Sequence, residues 1–354
     1  MENTISEPKA DSWHLYGQML RCRLFEKEVA RLWHDGVISG EMHLSMGEEA
    51  VVAGIVDQLV DGDALALDHR GTAPMLVRGV DPVALLREFM GRADGLCGGM
   101  GGHMHLFSQA HMAASSGIVG ASAPAAVGFA LANQRLRPGK ISVAFFGEGA
   151  VNQGMVLEAF NLAVVWKLPV MFVCKDNDQA VATQSSKVTG GKFRDRALGF
   201  GLYAIEVDGS DVESVWNKVN FEMKRMRNGE GPVFVHAYCP HLEGHFLGDP
   251  LLRYSHLSLS GLTMFIPIVK ALIQSKGAPF RERTESLNGL LAVIRETNRK
   301  YRLQEGDPIP PMRNRLSSMD AEKLQAVENQ VKIEMEMVFK QAPEFVALTE
   351  GVGL

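Results

Sequence analysis

The sequence predicts an α/β chain of three layers, a parallel sheet with helices on both faces, extended by helices at its C-terminal end. Three observations predict it. From residue 121 to 238, apolar runs of strand length alternate with longer runs of helical spacing, the pattern of parallel strands joined by crossover helices. Glycine is distributed unevenly, with five inside residues 93–105, so that stretch is neither regular helix nor regular strand. From residue 255 onward the chain reads as mostly helical and more charged.

Each element has its own warrant. Residues 12–35 carry apolar side chains at helical spacing, with Ser12 as the expected N-cap. A second helix is expected over 47–60, ended by Asp61-Gly62-Asp63. Leu65-Ala66-Leu67-Asp68 reads as a short buried strand running into His69-Arg70-Gly71, and 82–92 as a helix. The alternation that follows is helix 121–136, strand 141–146, helix 150–166, strand 169–174, strand 203–207, helix 212–228 and strand 232–238. No internal repeat is present. Ligands of parallel sheets sit where the strands' carboxyl ends open into loops. The loops after 68, 146, 175 and 238 are therefore the candidate site before any motif is invoked. Met155 and Trp166 are expected to be core.

Composition excludes several classes. With 354 residues, 46% of them hydrophobic, the chain can fill one large or two modest domains. A net charge of −5 with no basic stripe argues against a nucleic-acid surface. Cys22, Cys97, Cys174 and Cys239 lack CxxC spacing, so neither a zinc site nor a disulfide framework is expected, and the cytoplasm is the simplest compartment. The polar N-terminus shows no signal peptide. The most apolar later stretch, 262–273, is interrupted by Pro267 and Lys270 and falls short of a membrane span.

The chemistry concentrates after strand 141–146, in Gly147-Glu148-Gly149-Ala150-Val151-Asn152. A dinucleotide-binding turn is one reading, but Asn152 stands where its third glycine belongs. Glu148 would repel a bare diphosphate. Its carboxylate becomes useful there when a divalent cation bridges it to the phosphates, as magnesium does. A helix-capping acid on a tight turn is the alternative. Twenty-six residues separate Gly149 from Asp176, the length of one helix and one strand returning to the neighbouring carboxyl end. Asn177 would then face Glu148 and offer its amide oxygen as a second metal ligand. His103 and His105 also invite a metal reading, yet no further ligand stands near them and loop packing is the simpler role.

These residues resemble the magnesium–diphosphate motif of thiamine diphosphate enzymes: a glycine-acid-glycine turn, about 26 residues, then a pair ending in Asn. The chain is similar to the alpha subunits of the thiamine diphosphate-dependent 2-oxo acid dehydrogenases of the pyruvate and acetoin type. The likeness runs through EMHLSMGEEAVVAG at 41–54, DHRG at 68–71, GGMGGHMHLF at 98–107, SSGIVGASAPAAVGFALA at 115–132 and GEGAVNQGMVLEAFNLAVVWKLP at 147–169. It spans roughly 14–254, in family order.

The resemblance implies a thiamine diphosphate-binding α/β domain over 1–254. It implies magnesium held by Glu148, Asn177 and the backbone carbonyl of Gln179. His69 and Arg70 would bind diphosphate, alongside the turn of Gly147, Gly149 and Ala150. Gly117 and Val119 would recognise the aminopyrimidine through their backbone. His43 and His245, the latter in GHFLGDP, would be catalytic, with His241 and Glu243 as solvated loop residues. Phe246 stands where regulated mitochondrial relatives carry a phosphorylated serine. Further implications are decarboxylation of a 2-oxo acid, transfer to a lipoyl acyltransferase, and a beta subunit that supplies the activating glutamate of an alpha2beta2 heterotetramer. A divergent thiamine diphosphate-dependent decarboxylase or acyl-transfer enzyme with a different acceptor is the alternative, followed by a nicotinamide-binding dehydrogenase and a non-catalytic subunit of the same descent.

Three features depart from the pattern. Thr72-Ala73 stands where His-Gly is usual, and Glu41 sits at a usually apolar position. Residues 255–306 have no counterpart and read as a mostly helical insertion before Asp307-Pro308-Ile309 opens the C-terminal segment 307–354.

Overall fold

The computed structural model describes residues 9–180, 183–248, 270, 273 and 277–343. The first half runs α1 (Ser12–His34), α2 (Glu49–Val56), β1 (Ala64–Leu67), α3 (Thr72–Val77), α4 (Pro82–Phe89), β2 (Phe107–Ser108), β3 (Ala113–Ser115), α5 (Ser122–Leu136) and β4 (Ser142–Gly147). A 3-10 turn, Glu148–Asn152, leads into α6 (Gly154–Val165) and β5 (Val170–Asp176). The short pieces β6 (Gln179–Ala180), β7 (Thr183–Gln184), α7 (Ser185–Val188) and α8 (Phe193–Gly199) follow. Then come β8 (Tyr203–Asp208), α9 (Val212–Arg227), β9 (Val233–Tyr238), α10 (Phe280–Leu303), α11 (Ile309–Met319) and α12 (Ala321–Gln341).

The main sheet has the order β2-β3-β1-β4-β5-β9-β8. All its pairings are parallel except β2 with β3 at the edge. Strand alternation divides its side chains between two layers. Val143, Phe145, Met171 and Val173 face the cluster built with α1, α2, α4 and α9. Ala144, Phe146, Phe172 and Phe234 face α5, α6 and α8. This is the three-layer α/β arrangement the sequence predicts. The C-terminal helices extend it, α11 and α12 packing Ile309, Met312, Leu316 and Leu324 with Leu15 and Tyr16 of α1.

Several details differ from expectation. The N-cap of α1 is Asp11, whose carboxylate accepts from the N–H groups of Trp13 and His14 at 3.0 and 3.2 Å; Ser12 is the first helical residue and donates to Glu213. The second helix is confined to Glu49–Val56. Gly47, at φ +105°, cannot continue a helix, and a Cβ there would lie 2.3 Å from the Pro240 carbonyl oxygen. The helix expected from 150 starts at Gly154, because the chain first tightens into the 3-10 turn. Strands β2 and β3 have two and three residues, too few to show a period. Met155 and Trp166 are not core; they lie on the outer faces, 36% and 45% exposed.

Among the described residues no helix is long and apolar enough to cross a membrane. Most of residues 255–276 lie outside the described residues. The part of the expected insertion that is described carries α10.

Candidate functional site

The carboxyl ends of β3, β1, β4, β5 and β9 open onto one edge of the sheet, and a cavity of about 320 Å³ lies there. Its lining includes every residue that the resemblance assigns to cofactor, metal or catalysis: His43, His69, Arg70, Gly117, Val119, Gly147, Glu148, Gly149, Ala150, Asn177, Gln179 and His245. Parallel strands explain the convergence, since residues hundreds of positions apart leave the sheet on the same side.

One wall is made of imidazoles. The loop before α2, carrying His43, is zipped to the 240–247 loop by Leu242 N–H to the Met46 carbonyl (3.0 Å) and Leu247 N–H to the Met42 carbonyl (2.8 Å). That places the His43 ring edge-on to His69 and His245, with centroids 4.6 and 5.0 Å away. His103 stacks on the other side, its Nε2 at 3.1 Å from His43 Nδ1. Burial, reinforced by neighbouring rings and Arg70, pushes His43 down to about 2. Burial and Arg70 push His245 down to about 3. Burial also leaves His69 and His103 at about 4. These rings are neutral at physiological pH, able to donate and accept hydrogen bonds without carrying a charge.

Arg70 is 2% exposed. Its guanidinium donates to the Leu44 carbonyl and, at 2.7 Å, to the His245 carbonyl, tying the two histidine-bearing loops together. The sequence reading made it a phosphate donor; the structure shows it also as a clasp. Below the same loop the buried Glu26 carboxyl accepts the Ser45 N–H at 2.8 and 2.9 Å. Burial and the nearby Glu49 raise Glu26 to about 8. No local motif marks Glu26, which sits on the apolar face of α1.

The facing wall is oxygen-rich. Glu148, in the 3-10 turn, is buried, and its Oε1 has no hydrogen-bond partner among the described residues. Burial raises it to about 7, Asp176 adds to the rise, and the Gln179 N–H opposes it. Asn177 follows the end of β5, and its Oδ1 accepts the Gln179 N–H at 2.8 Å. Asp178 at φ +63° turns the chain so that Gln179 also lines the cavity. A carboxylate, an amide oxygen and a backbone carbonyl form the donor set of a hard divalent cation. An orphaned buried carboxylate is what such a cation would neutralise, so these residues fit magnesium. The imidazole wall offers a softer set: ligand atoms of His43, His69 and His245 lie within 4.8 Å of one another.

One sequence reading is overturned here. His241 is not a solvated loop residue. It is largely buried, its Nε2 donating to Glu48 Oε1 at 2.6 Å, and burial with Arg70 lowers it to about 4. Glu48 in turn takes the buried Lys175 ammonium at 2.6 Å, and Lys175 also reaches Asp68 at 3.2 Å. Lys175 holds the Glu48 carboxyl well below the usual range against burial. Glu243, half-buried, is raised by burial. His103 is a loop-packing residue, as the simpler reading had it, but the partner it packs on is His43. The glycine run that carries it wraps the buried Glu88 carboxylate, which accepts from Cys97, Gly99, Gly101 and Gly102 at 2.7, 2.8, 2.7 and 3.2 Å. Asn152, the residue that spoils a dinucleotide turn, is structural: it donates to Thr189 at 3.0 Å and accepts from Arg196 at 2.9 Å.

Residues 17–278 match the family described as Dehydrogenase E1 component. The chain belongs to that family. Its relatives include the alpha subunit of acetoin:2,6-dichlorophenolindophenol oxidoreductase of Cupriavidus necator, 40% identical over 66% of this chain and 71% of that protein. The pyruvate dehydrogenase E1 component alpha subunit of Rhizobium meliloti is 37% identical over 70% of this chain and 72% of its own. The acetoin:2,6-dichlorophenolindophenol oxidoreductase alpha subunit of Bacillus subtilis is 38% identical over 70% and 74%. The E1 match extends beyond residue 254, where the sequence motifs stop, and ends ahead of α10. In this E1 chain Glu305 and Gly306, at the end of the unmatched segment, line a second cavity of about 510 Å³ that shares Asn177, Gln179, His241 and His245 with the first.

Proposed function

We propose that this chain is the alpha subunit of a thiamine diphosphate-dependent dehydrogenase acting on a 2-oxo acid or acetoin. The observation that carries the reading is that one cavity brings together Glu148 Oε1, without a partner among the described residues, and several neutral imidazoles. Glu148, Asn177 and the Gln179 carbonyl would hold magnesium. His69 and Arg70 would hold diphosphate, with Gly147, Gly149 and Ala150 shaping the turn around it. Gly117 and Val119 would meet the aminopyrimidine. When bound, thiamine diphosphate supplies the carbon nucleophile and the electron sink for loss of carbon dioxide.

The chain's own residues do the rest. His43 and His245 meet in the first cavity, and His245 also lines the second one, where a substrate would enter. Kept neutral by burial, each can donate an N–H hydrogen bond to a developing oxyanion. Arg70 keeps the two rings at working distance by holding both loops. The second cavity gives the substrate its approach, and Glu305 and Gly306 bring the 255–306 segment to its rim.

A beta subunit is part of the reading, since the relatives are named as alpha subunits. Its place is supported by Ile118 and Val119, apolar residues that line the cavity and stand exposed. An alpha2beta2 heterotetramer, a lipoyl acyltransferase as acceptor and a cytoplasmic location complete the proposal. So does the division into 1–254, 255–306 and 307–354.

Titration calorimetry with thiamine diphosphate tests it, with and without magnesium. Glu148→Ala is expected to lose most of the magnesium-dependent affinity, about 10- to 100-fold. Unchanged magnesium dependence would reduce Glu148 to a turn residue.

A further inference from the structure

We propose that His241 is a positioning residue, which holds the Asn177 side-chain amide in the one orientation that presents Oδ1 to a cation. The inference rests on the reading of Asn177 as a metal ligand and adds the device that makes it one. An asparagine amide has two ends of similar shape and opposite polarity. Turned the wrong way, Asn177 would offer an NH2 group to a cation, so something must fix it.

The hydrogen bonds fix it from both sides. Asn177 Oδ1 accepts the Gln179 N–H at 2.8 Å, and Nδ2 donates to His241 Nδ1. A neutral imidazole that accepts at Nδ1 carries its proton on Nε2. His241 Nε2 indeed faces an acceptor, Glu48 Oε1, at 2.6 Å. Glu48 is ionised because its other oxygen takes the Lys175 ammonium at 2.6 Å, and Lys175 is itself buried beside Asp68. The chain of cause therefore runs from a buried ammonium to a carboxylate, to an imidazole tautomer, to an amide. Rotating the amide would set Nδ2 against the Gln179 N–H and Oδ1 against the lone pair of His241 Nδ1. Both contacts would turn repulsive at once. Of the two lone pairs on Oδ1, the Gln179 N–H takes one and the other remains for the cation.

The relay requires this tautomer, so the test starts with it. In the full chain labelled with nitrogen-15 histidine, long-range proton–nitrogen spectra at pH 7 should show His241 as the Nε2–H form. The Nδ1–H form would overturn the proposal without any variant. Magnesium is then titrated by calorimetry at saturating thiamine diphosphate. His241→Leu should bind magnesium about 10- to 100-fold more weakly, the range for removing a residue that orients a ligand. His241→Gln should recover to within a few-fold, because its amide can accept from Asn177 and donate to Glu48. Wild-type magnesium affinity in His241→Leu, with weakened affinity in Glu148→Gln, would sink the relay and leave the metal site standing. Wild-type affinity in both variants would remove the metal site and the relay together.

Discussion

The two walls of the cavity solve opposite electrostatic problems with the same tool. Burial drives His43, His69, His103 and His245 toward the neutral form, which for a base means losing a proton. Burial drives Glu148 toward the neutral form as well, which for an acid means keeping one. Left to themselves the imidazoles and Glu148 are therefore both pushed toward the neutral form. A bound cation would change one wall only: it would ionise Glu148 and leave the imidazoles neutral. The difference teaches that a single dry pocket can hold a proton-transfer surface and an ion site without the two neutralising each other.

The comparison breaks most visibly if one chain suffices. Both walls belong to this subunit, whereas the activating glutamate is expected from the beta subunit. The purified chain should give no decarboxylation of pyruvate with thiamine diphosphate and magnesium, and the beta chain should restore it. Robust turnover by the chain alone would contradict the division of labour.

Next in size is the imidazole wall. His245→Ala should lower kcat by roughly two to four orders of magnitude while cofactor affinity stays near wild type. Alanine keeps the backbone carbonyl that Arg70 grips, so the loop clasp survives. A variant that lost cofactor affinity yet turned over normally when loaded would make His245 structural.

The walls also predict opposite pH slopes for stability without divalent cations. Between pH 4 and 6.5 the unfolded histidines bind protons that the folded ones refuse, so stability rises with pH. Glu148 runs the other way. Its folded carboxyl keeps a proton up to about pH 7, the unfolded one only to 4.5, so stability falls as pH rises across that window. This contribution is on the order of 3 kcal/mol. Thermal melts should show Glu148→Gln gaining on the parent as pH climbs from 5 to 7, and parallel curves would refute the buried-acid account. Smallest is His103→Leu, which removes the partner of His43 Nδ1. A few-fold loss in kcat with unchanged KM is expected from a less fixed ring, and steady-state kinetics will read it.

The sequence by itself determined the fold class, because a buried parallel strand must be apolar on both faces and a crossover helix must show its period. Strands 141–146 and 169–174 and the helices around them are legible for that reason. It also determined the oxygen wall, since a carboxylate in a glycine turn followed after one helix and strand by Asn177 is a local pattern with a fixed return distance. Tertiary structure alone decided the rest. The network of Asp68, Lys175, Glu48 and His241 joins the end of strand β5 to three loops, so none of its members has a sequence neighbour that betrays it, and His241 in particular reads as an ordinary surface histidine. Glu26 lies on a helix face and meets Ser45 only through packing. The ends of α2 and α6 went to the glycine turn at 47 and the 3-10 turn at 148–152, where close approach to Pro240 and to the cavity overrode helical propensity. Local pattern reports what a segment must do with its own backbone. Which buried charges meet is settled by how the loops converge at one edge of the sheet.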